Sequence, residues 1–133
     1  MEKVLLAGVH LPEQMDFEEE LEEMKQLIYA CEMEVEEVWI QNLRSINKKT
    51  CINSGKIEEI RQRLIIKDLS TVVFNCDLSP SMQQTLESIW NCEVLDRTYL
   101  ILQIFQKRAK TKEAFLQVEV ATLQYFLPRL KGS

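Results

Sequence analysis

Five cations fall within sixteen residues of this chain: Arg97, Lys107, Arg108, Lys110 and Lys112. Guanidinium and ammonium groups at that density can grip a phosphate backbone. The same residues also have plain structural uses. Arg97 could pair with Asp96 or with a neighbouring helix, and Lys107 to Lys110 could satisfy the last carbonyls of a helix. A second phosphate candidate is Ser54-Gly55-Lys56, where free N–H groups at a helix start and an adjacent Lys could hold an anion. Its alternative is a Ser cap followed by a Gly chosen for a tight turn. A third group is His10, Asp77 and Ser79. A His beside a carboxylate can serve as a general base. Polar loop residues with ordinary partners have the same composition.

The motifs for harder chemistry are absent. A phosphate-cradling loop needs G-x-x-x-x-G-K-[ST]. Here Gly55-Lys56 is followed by Ile57, and Thr50 stands where the first Gly should be. There is no G-x-G-x-x-G, no nucleophile elbow and no metalloprotease signature, so no catalytic residue is assigned. Cys31, Cys51, Cys76 and Cys92 form no C-x-x-C pair, and His10 is the single histidine. No metal site is expected, and the thiols read as the reduced cysteines of a cytoplasmic protein.

The chain has 133 residues, 46% of them hydrophobic and 28% charged, with three Gly and three Pro. One soluble domain with a sizeable core is the expectation. No basic segment precedes an apolar run, so no signal peptide is read. No apolar stretch approaches membrane-spanning length, so no membrane contact is expected. The net charge of −5 is unevenly spread: residues 1–40 carry twelve acids and two bases. The remainder is net basic, a weak pointer to a polyanion.

The elements that must position these residues follow from the apolar spacing. Val4 to Val9 is a short continuous apolar run, as in a strand buried on both faces. Asp16 to Cys31 carries Phe17, Leu21, Met24, Ile28 and Cys31 at helical spacing, with Asp16 and Glu19 placed as a capping box. Val35 to Ile40 is a second strand, and Asn42 to Asn53 a surface loop. A helix runs from Ser54 to about Ile66, with Ile57, Ile60 and Leu64 inward. Thr71 to Phe74 is a third strand. Ser79-Pro80 starts another helix, with Met82, Leu86 and Ile89 inward. Glu93 to Asp96 is a fourth strand, followed by a short helix and the basic turn. This alternation predicts an α/β fold with a four-stranded, mainly parallel sheet in the order 2-1-3-4 and helices on both faces. His10 and Asp77 to Ser79 would then flank the topological switch point, the usual ligand crevice.

The last helix, Thr111 to Leu127, carries Leu116, Val120, Leu123 and Leu127 as one stripe, with Phe115, Val118, Tyr125 and Phe126 on other sides. A helix apolar over most of its circumference expects burial on more than one side. Little sequence follows Pro128, so the stripe predicts either a continuation of the chain or a homodimer through this helix.

The stretch from Ser79-Pro80 onward resembles the N-terminal domain of the HflX family of ribosome-associated GTPases. The resemblance is densest at Val94-Leu95-Asp96-Arg97-Thr98, Leu100-Ile101, Ile104-Phe105, Arg108-Ala109 and Thr111. It continues through Gln117-Val118-Glu119, Leu123, Tyr125 and Leu127-Pro128-Arg129-Leu130-Lys131-Gly132. A weaker match is Ile52 to Ile60, where the family usually has Gly in place of Asn53. Glu113-Ala114-Phe115 also departs from the family's usual Glu-Gly-Lys, making a basic joint more apolar. The resemblance implies an α/β N-terminal domain over 1–110 and the start of a helical linker subdomain over 111–133. It further implies that GTP and Mg belong to a separate C-terminal GTPase domain, with no cofactor in this chain. The implied partners are the large ribosomal subunit, its rRNA and that GTPase domain, and the implied role is regulation of ribosome splitting or rescue. The rival reading is a small nucleotide-binding or enzymatic α/β domain using the crevice at His10, Asp77 and Ser79.

Overall fold

The computed structural model describes residues 1–130; Lys131 to Ser133, the end of the expected linker segment, lie outside the described residues. Four parallel strands, β1 (Glu2–His10), β2 (Met33–Asn42), β3 (Thr71–Phe74) and β4 (Glu93–Leu95), form one sheet in the order β2-β1-β3-β4. Five α-helices accompany them: α1 (Phe17–Ala30), α2 (Ser54–Ile66), α3 (Pro80–Trp90), α4 (Arg97–Arg108) and α5 (Lys112–Phe126). A short 3-10 turn, Leu127–Arg129, follows α5.

The apolar run of β1 is buried because both faces of the sheet are covered. Leu5, Ala7 and Val9 face one core with Ile57, Ile60 and Leu64 of α2 and Leu86 and Trp90 of α3. Val4 and Leu6 face the other with Phe17, Leu21, Met24 and Ile28 of α1 and Leu100 of α4. Alternate side chains of a strand point to opposite faces, so one strand feeds both cores. The α4–α5 pair and the 3-10 turn reach from α4 to α3 around β4.

Helix starts differ in detail from the sequence reading. Ser79 Oγ accepts from Met82 N, with Pro80 at the first turn, as the Ser-Pro pair predicts. The expected Asp16–Glu19 capping box is not formed: Asp16 makes no side-chain cap bond. Gln14 and Glu20 instead tie that turn together, Gln14 Nε2 donating to Glu20 Oε2 at 2.8 Å. On α3 Gln83, Leu86 and Trp90 are buried and Met82 packs partly buried against the same core, while Ile89 is exposed. The β4 edge accepts a polar side chain there because Gln83 Nε2 donates to the Val94 carbonyl at 3.0 Å.

One glycine is required by packing. A Cβ on Gly8 would lie 3.0 Å from Leu21 Cδ2 and 3.2 Å from Phe17 Cζ. The bare backbone lets α1 approach the C-terminal end of β1. Gly8→Ala should therefore cost about 1–2 kcal/mol of stability through overpacking. Urea unfolding checks this; a variant as stable as the native chain would mean α1 has slack there.

Candidate functional site

The switch point between β1 and β3 is where the sequence places His10, Asp77 and Ser79 around a crevice. Each is present at a strand end, and each is committed to structure. His10 stacks on Phe17, with ring centroids 4.3 Å apart and planes 5° from parallel. Its Nδ1 lies 2.9 Å from Asn42 Oδ1 and its Nε2 3.4 Å from the Gln14 carbonyl. Asp77 Oδ1 accepts from the N–H and hydroxyl of Thr98 at 3.2 and 2.7 Å, adding a cap to α4. Ser79 caps α3. Among the described residues none of the three bonds to another. The gap itself is plugged by Asn75, only 1% exposed. Asn75 Oδ1 accepts from Val9 N at 2.8 Å, and its Nδ2 donates to Val9 O and Glu20 Oε1. An open hollow of about 520 Å³ remains beside His10, walled by Asp16, Glu18 and Glu19. That sign of charge repels phosphate.

Ser54-Gly55-Lys56 begins α2, but Asn53 is the cap residue and makes no side-chain cap bond. The tight-turn alternative for Gly55 does not hold either: a Cβ there meets nothing within 4 Å. Asn53 sits at φ −77°, a conformation that needs no glycine. Lys56 is drawn away, 3.3 Å from Glu59 and stacked 5.2 Å from the centre of the Trp39 ring.

The five cations around α4 do not form one cluster. Asp96 caps a helix of twelve residues, so Arg97 and Lys107 lie at opposite ends, roughly 15 Å apart along the axis. Arg97 pairs with Glu23 of α1 at 2.7 Å, not with Asp96. Lys107 reaches Glu32 at 3.3 Å and the Ala30 carbonyl at 3.4 Å, capping the C-terminus of α1 rather than that of its own helix. Arg108, Lys110 and Lys112 are exposed at the α4–α5 junction, with no ion pair among the described residues. Arg44, Lys48 and Lys49 of the β2–α2 loop are likewise exposed and unpaired there. Periodicity marks that loop only as surface; three bases without a neighbouring acid are the signal it carries.

The most elaborate constellation is one that residue spacing does not suggest. Asp96 is fully buried. Its Oδ1 accepts from Tyr99 N at 3.1 Å and the Tyr125 hydroxyl at 2.8 Å. Its Oδ2 accepts from Leu78 N at 3.1 Å and lies 4.0 Å from the Arg129 guanidinium. Arg129 also donates to Gln83 Oε1, to the Tyr125 carbonyl at 2.7 Å and to the Leu78 carbonyl at 2.9 Å. Its guanidinium lies 3.7 Å from the centre of the Tyr125 ring. Burial, then the Asp96 carboxylate, pushes the Tyr125 hydroxyl well above its ordinary pKa, so it remains a donor. A cavity of about 280 Å³ beside the network is lined by Gln83, Glu87, Glu93, Tyr99, Tyr125, Phe126 and Arg129, among others. Among the described residues no group of three or more His, Cys, Asp or Glu could hold a metal ion, and no helix is long and apolar enough to cross a membrane.

Known proteins are similar to this chain in sequence and in fold. The family described as GTP-binding GTPase N-terminal matches residues 18–106. The GTPase HflX of Flavobacterium psychrophilum is 40% identical over 133 residues, which are 98% of this chain and 32% of that protein. The GTPase HflX of Caldanaerobacter subterraneus is 40% identical over 129 residues, 97% of this chain and 29% of that protein. The crystal structure of SsGBP in complex with GDP superposes with a TM-score of 0.76 at 28% identity, covering 100% of this chain and 37% of that one. The chain thus spans about a third of the length of the curated relatives it matches.

The buried network makes a direct expectation. Tyr125→Phe keeps the ring but removes the hydroxyl that bridges Asp96 and Gln83. Loss of a buried bond to a carboxylate should cost about 1.5–3 kcal/mol. Thermal or urea unfolding measures it, and a loss below about 0.5 kcal/mol would show the hydroxyl to be dispensable.

Proposed function

The chain belongs to the HflX family of GTPases, corresponding to the N-terminal region, and we propose from that premise that it is the ribosome-engaging, regulatory module of such a protein. In this reading it binds large-subunit rRNA in the cytoplasm and leaves GTP and Mg to a GTPase domain. Ribosome splitting or rescue is the process it serves. The sequence contains no phosphate loop, and the hollow at the switch point is walled by acids. Both weigh against the rival reading of a nucleotide-binding enzyme at His10, Asp77 and Ser79.

The observation that carries the reading is the set of bases left over after internal pairing. Arg108, Lys110 and Lys112 can meet phosphates at no internal cost. Arg97, Lys107 and Lys56 would each have to give up an acid partner. Ser54 and Gly55 offer only the N–H groups of a helix start. Of the cations that the sequence singles out, those at the junction therefore form the phosphate-contacting set, and Arg97 and Lys107 chiefly hold α4 against α1.

Residues 1–110 form the α/β unit in this proposal, and α5 begins the linker subdomain. Its inner line of Ala114, Val118, Ala121, Tyr125 and Phe126 is at least partly buried. Leu116, Val120 and Leu123 are 52%, 54% and 52% exposed on the opposite side, and Leu127 continues the line at 55% exposure. In a longer protein this stripe is the seat for a following segment or the GTPase domain. In the chain on its own it pairs with a second copy, because one self-complementary patch suffices for a two-fold dimer.

Replacing Arg108, Lys110 and Lys112 together by Ala should weaken pelleting with purified large ribosomal subunits. It should also flatten the dependence of log K on log salt by roughly 0.7–0.9 for each phosphate that is no longer neutralised. Arg97→Ala with Lys107→Ala should lower stability by under about 1 kcal/mol per surface pair and change the salt slope little. Equal pelleting by the native chain and the triple variant would remove the junction from the proposal.

Light scattering of the native chain should give a dimer, and Leu123→Glu a monomer with an unchanged circular dichroism spectrum. Burying each large side chain of the stripe contributes roughly 1.5–3 kcal/mol, which a charge at its centre forfeits. A native monomer at high micromolar concentration would refute pairing through α5.

A further inference from the structure

Cys51 and Cys76 stand 25 positions apart in the chain, yet their sulfurs lie 3.8 Å from each other, in van der Waals contact. Cys31 and Cys92 are placed differently: each thiol donates to a backbone carbonyl, of Leu100 and Leu69 respectively. Cys51 is wholly buried in the core under the β2–α2 loop, and Cys76 is partly exposed just after β3. An isolated antiparallel bridge, Cys51 to Asn47, shapes the loop turn. Cys51 itself sits at φ 66°, in the left-handed region that β-carbons disfavour. Residues held there persist only where surrounding contacts impose the conformation. Here it carries the Cys51 sulfur against Cys76.

We propose that Cys51 and Cys76 form a modification site for small hydroperoxides, a dithiol that closes to a disulfide and staples the basic β2–α2 loop to the end of β3. Closure requires the sulfurs to approach from 3.8 Å to about 2.05 Å. The loop side supplies the movement, since β3 is paired on both flanks. The two thiols share one hydrogen bond, so the pair gives up its first proton far more readily than its second. The resulting thiolate, at Cys76 where solvent reaches the pair, attacks one oxygen of hydrogen peroxide. An S–O bond forms, the O–O bond breaks, and the departing hydroxide takes a proton to become water. The neighbouring thiol then loses its proton and attacks the sulfenic sulfur, expelling a second water. Two thiols are oxidised by two electrons, and one peroxide is reduced to two waters. A dithiol reductant reverses the bond by exchange.

The staple has a mechanical consequence. It closes a loop spanning 25 positions that includes α2 and the segment leading into it, and it fixes the end of the loop that carries Arg44, Lys48 and Lys49. Oxidation therefore restrains a basic surface segment without altering its charge.

The test treats the purified, reduced chain with stoichiometric hydrogen peroxide in native buffer, followed by peptide mapping under non-reducing conditions. The expected product is one Cys51–Cys76 cross-linked peptide, lighter by two hydrogens and restored by dithiothreitol, with Cys31 and Cys92 still open to maleimide. The oxidised chain should melt roughly 5–10 °C above the reduced one. Cys76→Ser should abolish the cross-link. Because that variant could fold poorly, Cys31→Ser with Cys92→Ser provides a second arm in which the cross-link must persist. No cross-link in the folded native chain, or one through Cys31 or Cys92, would overturn the site. A Cys51–Cys76 bond with no rise in melting temperature would overturn the staple.

Discussion

A carboxylate with no exposure to solvent must be fully hydrogen-bonded or it destabilises the fold by several kcal/mol. Asp96 meets that demand by gathering donors from separate parts of the chain: Leu78 before α3, Tyr99 in α4 and Tyr125 in α5. Arg129 then neutralises its second oxygen and bonds back to Gln83 and the Leu78 carbonyl. Each donor fixes an element. The N-terminus of α4, the entry to α3, and the angle at which α5 leaves the sheet all refer to one side chain at the end of β4. No buried side-chain nitrogen or oxygen among the described residues lacks a hydrogen-bond partner. The network can therefore be rigid rather than frustrated.

That anchoring explains why α5 has two characters. Its inner side is held by Tyr125, by Phe126 edge-on to Tyr99, and by Gln106 of α4 bonded to Thr122. Its outer side keeps a line of large apolar side chains in solvent. A helix so firmly oriented presents that line in one fixed direction. Ala114 in the first turn continues α5 without interruption, which works in the same direction.

The switch point has the opposite fate. In open α/β sheets the crevice between diverging strands is the usual ligand seat. Here Asn75 fills it and bonds both the N–H and the carbonyl of Val9, so its side chain imitates the next rung of the sheet ladder. The charge pattern follows a similar logic of prior commitment. Acidic α1 consumes Arg97 through Glu23, and Glu32 just beyond its end consumes Lys107, leaving the α4–α5 junction and the β2–α2 loop as two groups of unpaired bases among the described residues. A small net charge on the whole chain thus coexists with separated acidic and basic regions.

The strand–helix alternation, the strand order 2-1-3-4, and the α2 boundaries with Ile57, Ile60 and Leu64 inward were all legible in the sequence. So were the Ser79-Pro80 start and the HflX family resemblance. These depend on periodicity, on caps a few residues long, and on the chirality rules that prune topology, all of which act over short separations or on whole patterns. Tertiary structure decided what each polar side chain does. Arg97 meets Glu23 across 74 positions, Arg129 meets Gln83 across 46, Tyr125 meets Asp96 across 29 and Cys51 meets Cys76 across 25. At the α1 start no Asp16–Glu19 box forms, and Gln14 and Glu20 bond to each other through side chains six positions apart, a pairing that helix-cap patterns do not anticipate. Residue type states which bonds a side chain can make. Only the folded chain brings its partners within reach and excludes the water that would otherwise take their place.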